Sequence, residues 1–284
     1  MLQEKSFDTG TVTINYAEGP PSGPPLVLLH GGGDRWQYLK PLLPALTPHW
    51  HVYALDLRGH GKSGRVPRSY RPEEYVVDII AFVTNQLDRP FFLFGHSLGG
   101  WVALLTAAQL GDKVQALVLG DPPLNLKRFV ETESSEAQVS MWGALRDAGV
   151  SARSVPELAS ALAEITGQEA GQLQDWAERL SQADPDVIMY QADGRLDEYV
   201  QNVDVDAALR RLACPVLFVQ GDPARGAMIA DEDLEHLLSL PANGQHVRIE
   251  GSGHDLGLDT GETASLLDAI TRFLETLDRV PEKY

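Results

Sequence analysis

The chain has 284 residues, 43% of them hydrophobic, and a formal net charge of −17. That length supports one large α/β domain or a domain with an insertion, and the charge excludes nucleic acid and anionic membranes as partners, because both would be repelled. No apolar run approaches the ~20 residues of a membrane span, and Met1-Leu2-Gln3-Glu4-Lys5 lacks a basic segment followed by an apolar one, so the sequence reads as cytoplasmic.

Residues 11–16 alternate Val12 and Ile14 with polar side chains, the pattern of a half-exposed strand, and the turn-rich stretch 19–25 completes an edge hairpin. Residues 26–29 are apolar throughout, as in a strand covered on both faces of a parallel sheet, and run into His30-Gly31-Gly32-Gly33. Glycines in that position let backbone approach a ligand closely. Trp36, just downstream, is a candidate substrate contact. The next buried strand, 52–57, ends in Asp56-Leu57-Arg58-Gly59-His60-Gly61-Lys62-Ser63, where Asp56 and Arg58 are expected to hold backbone near the strand ends. Val76, Ile79, Ile80, Val83 and Leu87 then recur at helical spacing.

A further apolar run, 91–94, ends in Gly95-His96-Ser97-Leu98-Gly99 and leads straight into helix-forming residues 101–110. A serine on a tight strand-to-helix turn has its hydroxyl pushed out above the sheet, over the free N–H groups and positive end of the helix. Ser97 is therefore the candidate nucleophile, and the Leu98 and Gly32 N–H groups are the candidate oxyanion donors. The strand 114–119 ends in Gly120-Asp121-Pro122-Pro123, and Pro122 is expected to keep Asp121 extended at the strand tip.

Residues 124–212 contain no strand-like run, whereas Leu158, Leu162 and Ile165, then Leu173, Trp176 and Leu180, repeat at helical spacing. The chain thus divides into an α/β core over 1–123, a helical insertion over 124–212 and the rest of the core over 213–284. An insertion at the carboxyl edge of a parallel sheet covers the crevice where ligands bind, so Trp142, Trp176, Met141, Met189 and Tyr190 are candidate pocket residues. The lone cysteine, Cys214, reads as a buried small hydrophobe at the start of the strand 215–220. Leu234, Leu237 and Leu238 mark a helix, 247–249 a last strand, and Leu266, Leu267, Ile270, Phe273, Leu274 and Leu277 a C-terminal helix. Of eight histidines, only His254, in Gly251-Ser252-Gly253-His254, follows a core strand on a glycine loop late in the chain, where a catalytic base belongs.

Taken together, Leu29-His30-Gly31-Gly32-Gly33, Gly95-His96-Ser97-Leu98-Gly99-Gly100 and Gly251-Ser252-Gly253-His254, in this order and around a helical insertion, resemble the α/β-hydrolase superfamily over the whole chain. The resemblance implies a mostly parallel eight-stranded sheet flanked by helices, an inserted helical cap, and a Ser-His-Asp triad. Many members carry the acid in Gly-x-x-Asp after the penultimate strand, but here that stretch is Gly221-Asp222-Pro223-Ala224. A second branch places the acid where Asp121 stands, so Asp121 is favoured and Asp222 is the alternative. Haloalkane dehalogenases and epoxide hydrolases share the layout but use an Asp nucleophile, against which Ser97 argues.

The implied function is hydrolysis of a small-molecule ester or lactone through an acyl-enzyme. A cofactor-free haloperoxidase, perhydrolase or carbon-carbon bond hydrolase, and a receptor retaining the triad, are the alternatives. No His-x-x-x-His, paired cysteines or nucleotide fingerprint points to a metal or cofactor. The sequence leaves a homodimer open.

Overall fold

The computed structural model describes residues 2–152 and 154–278, so the ends of the 1–123 and 213–284 segments reach outside the described residues. Eight strands form one sheet in the order β1-β2-β4-β3-β5-β6-β7-β8. They are β1 (Gln3–Asp8), β2 (Thr13–Glu18), β3 (Pro25–Leu29), β4 (His51–Leu55), β5 (Phe91–His96), β6 (Val114–Gly120), β7 (Val216–Gln220) and β8 (Gly244–Arg248). β1 pairs antiparallel with β2 and β2 antiparallel with β4, while all the others run parallel.

The apolar runs are continuous because alternate side chains enter two different cores. Leu26, Leu28, Phe92, Phe94, Val118, Leu217 and Val219 face one layer, which includes Leu266, Ile270, Phe273 and Leu274 of the C-terminal helix (Ala264–Asp278). Val27, Leu29, Leu93, Leu117, Leu119 and Phe218 face the other. There they meet helix α1 (Pro72–Gln86) and helix α2 (Leu98–Leu110). α1 begins at Pro72, whose missing N–H costs nothing there, and Glu74 Oε2 accepts the Arg71 N–H at 2.7 Å to close the first turn.

β1 is a difference from the sequence reading. Apart from Phe7 its residues are polar, and most are exposed, so it carries no apolar pattern and pairs through its ladder with β2. β8 is a second difference, beginning earlier than Val247 through the polar, half-exposed residues of an edge strand.

Between β6 and β7 the described residues form helices and no strand, including α3 (Leu126–Glu133), α4 (Glu136–Ser151), α5 (Val155–Thr166) and α6 (Gln174–Ser181). Ser135 caps α4 by accepting the Gln138 N–H, and Ser154 caps α5 by accepting the Glu157 N–H. Cys214 is buried, and burial pushes its thiol up to about 11. No described helix is long and apolar enough to cross a membrane.

Phe94 is fully buried within β5, so Phe94→Ala should cost about 3–5 kcal/mol in urea unfolding. Val77, 57% exposed, should tolerate Ala within about 0.5 kcal/mol, and similar losses at both positions would contradict this division of the core.

Candidate active site

β5 lies between β3 and β6, and its carboxyl end turns into α2 at Ser97. Ser97 has φ 53 and ψ −119, outside the regions a non-glycine residue favours, and its N–H is anchored on the Gly120 carbonyl at 2.9 Å. The turn closes so tightly that a Cβ on Gly95 would run into the Gly99 carbonyl, and one on Gly99 would strike the Leu29 and His30 carbonyls. Those two glycines make room for the strained serine.

The Ser97 hydroxyl donates to His254 Nε2 at 2.9 Å, and His254 Nδ1–H donates to Asp121 Oδ2 at 2.8 Å. The same Asp121 oxygen accepts the Met228 N–H at 2.7 Å, and Oδ1 accepts the Ile229 and Gly221 N–H groups at 3.1 and 3.3 Å. A fully buried carboxylate needs such donors to offset lost hydration. Contrary to the extended conformation expected before Pro122, Asp121 has φ 47. This backbone accompanies a carboxylate directed at the loop after β7.

Asp222 is not at this junction. Its carboxylate accepts the Ala224 N–H at 2.9 Å and lies 3.9 Å from the Arg225 guanidinium, as in a turn cap. Its backbone N–H donates to the Ser252 carbonyl at 2.7 Å, so Asp222 supports the His254 loop through the main chain alone. A Cβ on Gly221 would meet the Gly253 carbonyl, and one on Gly253 would meet the Arg225 carbonyl, which explains the glycine at each of these two positions. Two residues short of the usual position, Asp222 is taken up by its own turn, and the carboxylate at His254 Nδ1 is that of Asp121.

Histidines that the sequence reading left unused hold the glycine loop. His30 Nδ1–H donates to the Gly31 carbonyl at 2.7 Å while Nε2 accepts the Leu57 N–H at 3.0 Å. His60 Nδ1–H donates to the Arg58 carbonyl at 2.9 Å while Nε2 accepts the Gly33 N–H at 3.0 Å. A ring that accepts a backbone N–H must be neutral. Burial agrees, lowering His30 to about 4 and His60 to about 3. The Gly33 amide is thus committed to His60. Gly32 lines the cavity, and a Cβ on it would lie 3.9 Å from Leu98 Cδ2, so the two expected oxyanion residues are neighbours. His96 Nε2–H donates to the His254 carbonyl at 2.8 Å, and burial lowers His96 to about 3.

Asp56 accepts the Trp36 and Lys62 N–H groups at 2.7 and 2.9 Å, the backbone-holding role expected of it. Arg58 mainly makes a two-pronged pair with Asp78, at 2.6 and 2.8 Å, which ties the turn to α1.

Of the candidate substrate contacts, Trp176 lines the cavity beside Ser97, and Trp36 and Trp142 do not. Trp36 is buried and donates from Nε1 to Glu4 at 2.9 Å, bracing β1. Trp142 donates from Nε1 to Glu133 at 3.0 Å and packs within the helical insertion. Met141, Met189 and Tyr190 also lie outside the cavity lining, with the Tyr190 hydroxyl accepting from Arg71 at 2.8 Å. Of the periodic positions, Leu158 and Leu162 are buried in the core whereas Leu173 and Trp176 line the cavity, because periodicity reports the covered face of a helix and not what covers it.

The wall residues the sequence reading missed include Asp34, Tyr38, Arg179 and Asp259. Asp34 follows the glycine loop directly and was open to detection on that ground. Arg179 carried no signal of a cavity role, since its hydrogen-bond partners Asp34 and Asp259 come from distant loops. Burial pushes the Asp34 carboxyl up to about 7 even though Arg179 pulls it down.

The chain belongs to the alpha/beta hydrolase family, matching it over residues 26–266. Among curated relatives, 2-(acetamidomethylene)succinate hydrolase of Mesorhizobium japonicum is 29% identical over 133 residues, 47% of this chain and 46% of that protein. Pimeloyl-(acyl-carrier protein) methyl ester esterase of Neisseria meningitidis is 41% identical over 95 residues, 32% of this chain and 34% of that protein. In sequence, the chain therefore spans less than half the length of these relatives. The crystal structure of E-2-(acetamidomethylene)succinate hydrolase superimposes with a TM-score of 0.74 at 24% identity, covering 97% of this chain and 100% of that one, a likeness that shows the fold.

The three buried histidines make stability depend on pH. Their folded values lie below the ordinary 6.5, so on acidification the unfolded chain takes up protons that the folded one refuses. Stability should therefore fall as pH drops from about 6.5 to about 4, by about 1.4 kcal/mol per pH unit for each histidine. Asp34, held up near 7, acts in the opposite direction, taking up its proton in the folded state first. In urea unfolding, His60→Gln should flatten the acid-side slope by about 1.4 kcal/mol per unit. An unchanged slope would contradict a neutral buried His60.

Proposed function

We propose that the protein is a serine hydrolase that cleaves a carboxylic ester or lactone through an acyl-enzyme on Ser97. The observation that carries this reading is the continuous contact from Ser97 Oγ to His254 Nε2 and from His254 Nδ1 to Asp121 Oδ2, at 2.9 and 2.8 Å, with Ser97 and His254 on the wall of one cavity and Asp121 buried behind them. The esterase among the relatives supports ester chemistry. An epoxide hydrolase is also a relative, but an aspartate would be needed where Ser97 stands.

In this reading, His254 Nε2 takes the Ser97 proton as Oγ attacks the carbonyl carbon, and Asp121 holds the ring in the productive tautomer and stabilises the imidazolium. The Gly32 and Leu98 N–H groups, aided by the positive end of α2, receive the developing oxyanion. The imidazolium then gives its proton to the departing alkoxide. Water, deprotonated by the same nitrogen, attacks the acyl carbon and releases the acid and free Ser97. Residues 124–212 act as a cap over the cavity, contributing Trp176 as a substrate contact.

A fluorophosphonate should label Ser97, with labelling and ester turnover both lost in Ser97→Ala. Asp121→Asn should lower kcat/KM by about 10⁴-fold while Asp222→Asn keeps most of it. Equal, modest losses at both would remove Asp121 from its role.

Trp176→Ala should change relative rates among esters of different size more than it changes the melting temperature. Trp36→Ala and Trp142→Ala should do the reverse, and a size-dependent shift at Trp142 would restore it as a substrate contact.

A further inference from the structure

The cavity beside Ser97, about 870 Å³, has an unusual charge balance for its role. Asp34, Asp175, Asp255, Asp259 and Glu262 line it, against the guanidiniums of Arg179 and Arg225. Arg179 is already committed. Its Nη1 donates to Asp34 at 2.9 Å, its Nη2 donates to Asp259 at 3.0 Å, and its Nε lies 3.3 Å from an Asp175 oxygen. The guanidinium also lies over the Tyr38 ring, 4.6 Å from its centroid. A substrate carboxylate approaching it would meet three carboxylates already within 3.3 Å of the guanidinium. Arg225, whose side chain is 64% exposed and stands 3.9 Å from Asp222, leaves five carboxylates against two guanidiniums around the cavity.

The wall is therefore anionic next to the nucleophile, with its apolar and polar surfaces nearly equal. Leu173 and the indole of Trp176 face the space, with Gln168, Gln172 and Thr260 around them. Trp176 follows Asp175 on α6, so an aromatic side chain and a carboxylate come from adjacent positions on the same wall. An aromatic face attracts an organic cation, and surrounding carboxylates strengthen the attraction.

We propose that the substrate is a polar ester or lactone bearing a protonated amine or quaternary ammonium group, and that the cavity rejects carboxylate-bearing esters. This rests on the reading of Ser97 as the acyl-accepting nucleophile. Trp176 and the carboxylates facing it are the specificity-determining groups, and Arg179 orders that wall rather than binding the substrate.

The test uses three series of aryl and alkyl esters of matched length, bearing a trimethylammonium, a neutral tert-butyl or a carboxylate group, in acyl and leaving-group positions. Rates are normalised to hydroxide-catalysed hydrolysis. At low ionic strength, kcat/KM for the ammonium ester should exceed that of the neutral one by about tenfold or more in at least one position, with the carboxylate ester below both. Added salt should narrow the gap. The double variant Asp175→Asn with Glu262→Gln should lower the ammonium-to-neutral ratio while Ser97 still reacts with fluorophosphonate. Tetramethylammonium should compete with a neutral ester more strongly than acetate does, a measurement that needs no variant. An ammonium ester no better than the neutral one, or a carboxylate ester equal to it, would overturn the proposal while leaving the hydrolase reading intact. If Ser97 does not label and no ester turns over, the hydrolase reading fails and this proposal fails with it.

Discussion

The buried carboxylate of Asp121 is the point on which the site depends. A charge removed from water must be met by donors, and here they come from two loops distant in sequence. The Gly221, Met228 and Ile229 amides come from the segment after β7, and the fourth donor is the His254 ring after β8. Because all four donors converge on one residue at the tip of β6, the loops cannot move apart without leaving that carboxylate unpaired. The close crossing at Gly221 and Gly253, and the Asp222 N–H bond to the Ser252 carbonyl, follow from the same convergence.

The second requirement is a strained serine on a rigid support. Ser97 occupies its unfavourable backbone conformation because β5 is buried on both faces and neighbouring glycines give way to it. Opposite it, the glycine loop has little packing of its own, and two neutral buried histidines fix it through backbone bonds. Rigidity in this loop therefore carries a pH sensitivity that a loop fixed by apolar contacts would lack. Arg179 performs a related service from the helical insertion, joining Asp34 beside the glycine loop to Asp259 beyond His254.

Much of this was legible in the sequence, for identifiable reasons. Strands buried on both faces appear as apolar runs, and a serine between obligatory glycines at a strand-to-helix junction marks the elbow. The contest between Asp121 and Asp222 was visible too, since both stand before a proline after a core strand. What decided the geometry, a carboxylate turned to accept backbone amides more than a hundred residues away, leaves no local trace. β1 was invisible because its residues, Phe7 apart, are polar and mostly exposed and so carry no apolar pattern. The tryptophans were ambiguous because helical periodicity marks a buried face without saying whether that face meets core or cavity. Arg179 was missed because its meaning comes from three carboxylates on separate segments.

The most direct measurement is rapid-quench mass spectrometry of the protein mixed with a reactive ester. A transient acyl mass on the peptide containing Ser97 should form and decay within the turnover time. It should accumulate slowly, and only in trace amounts, in His254→Gln. Full turnover with Ser97 unmodified at every time, or an acyl group carried by another residue, would contradict the assignment of Ser97 as the nucleophile.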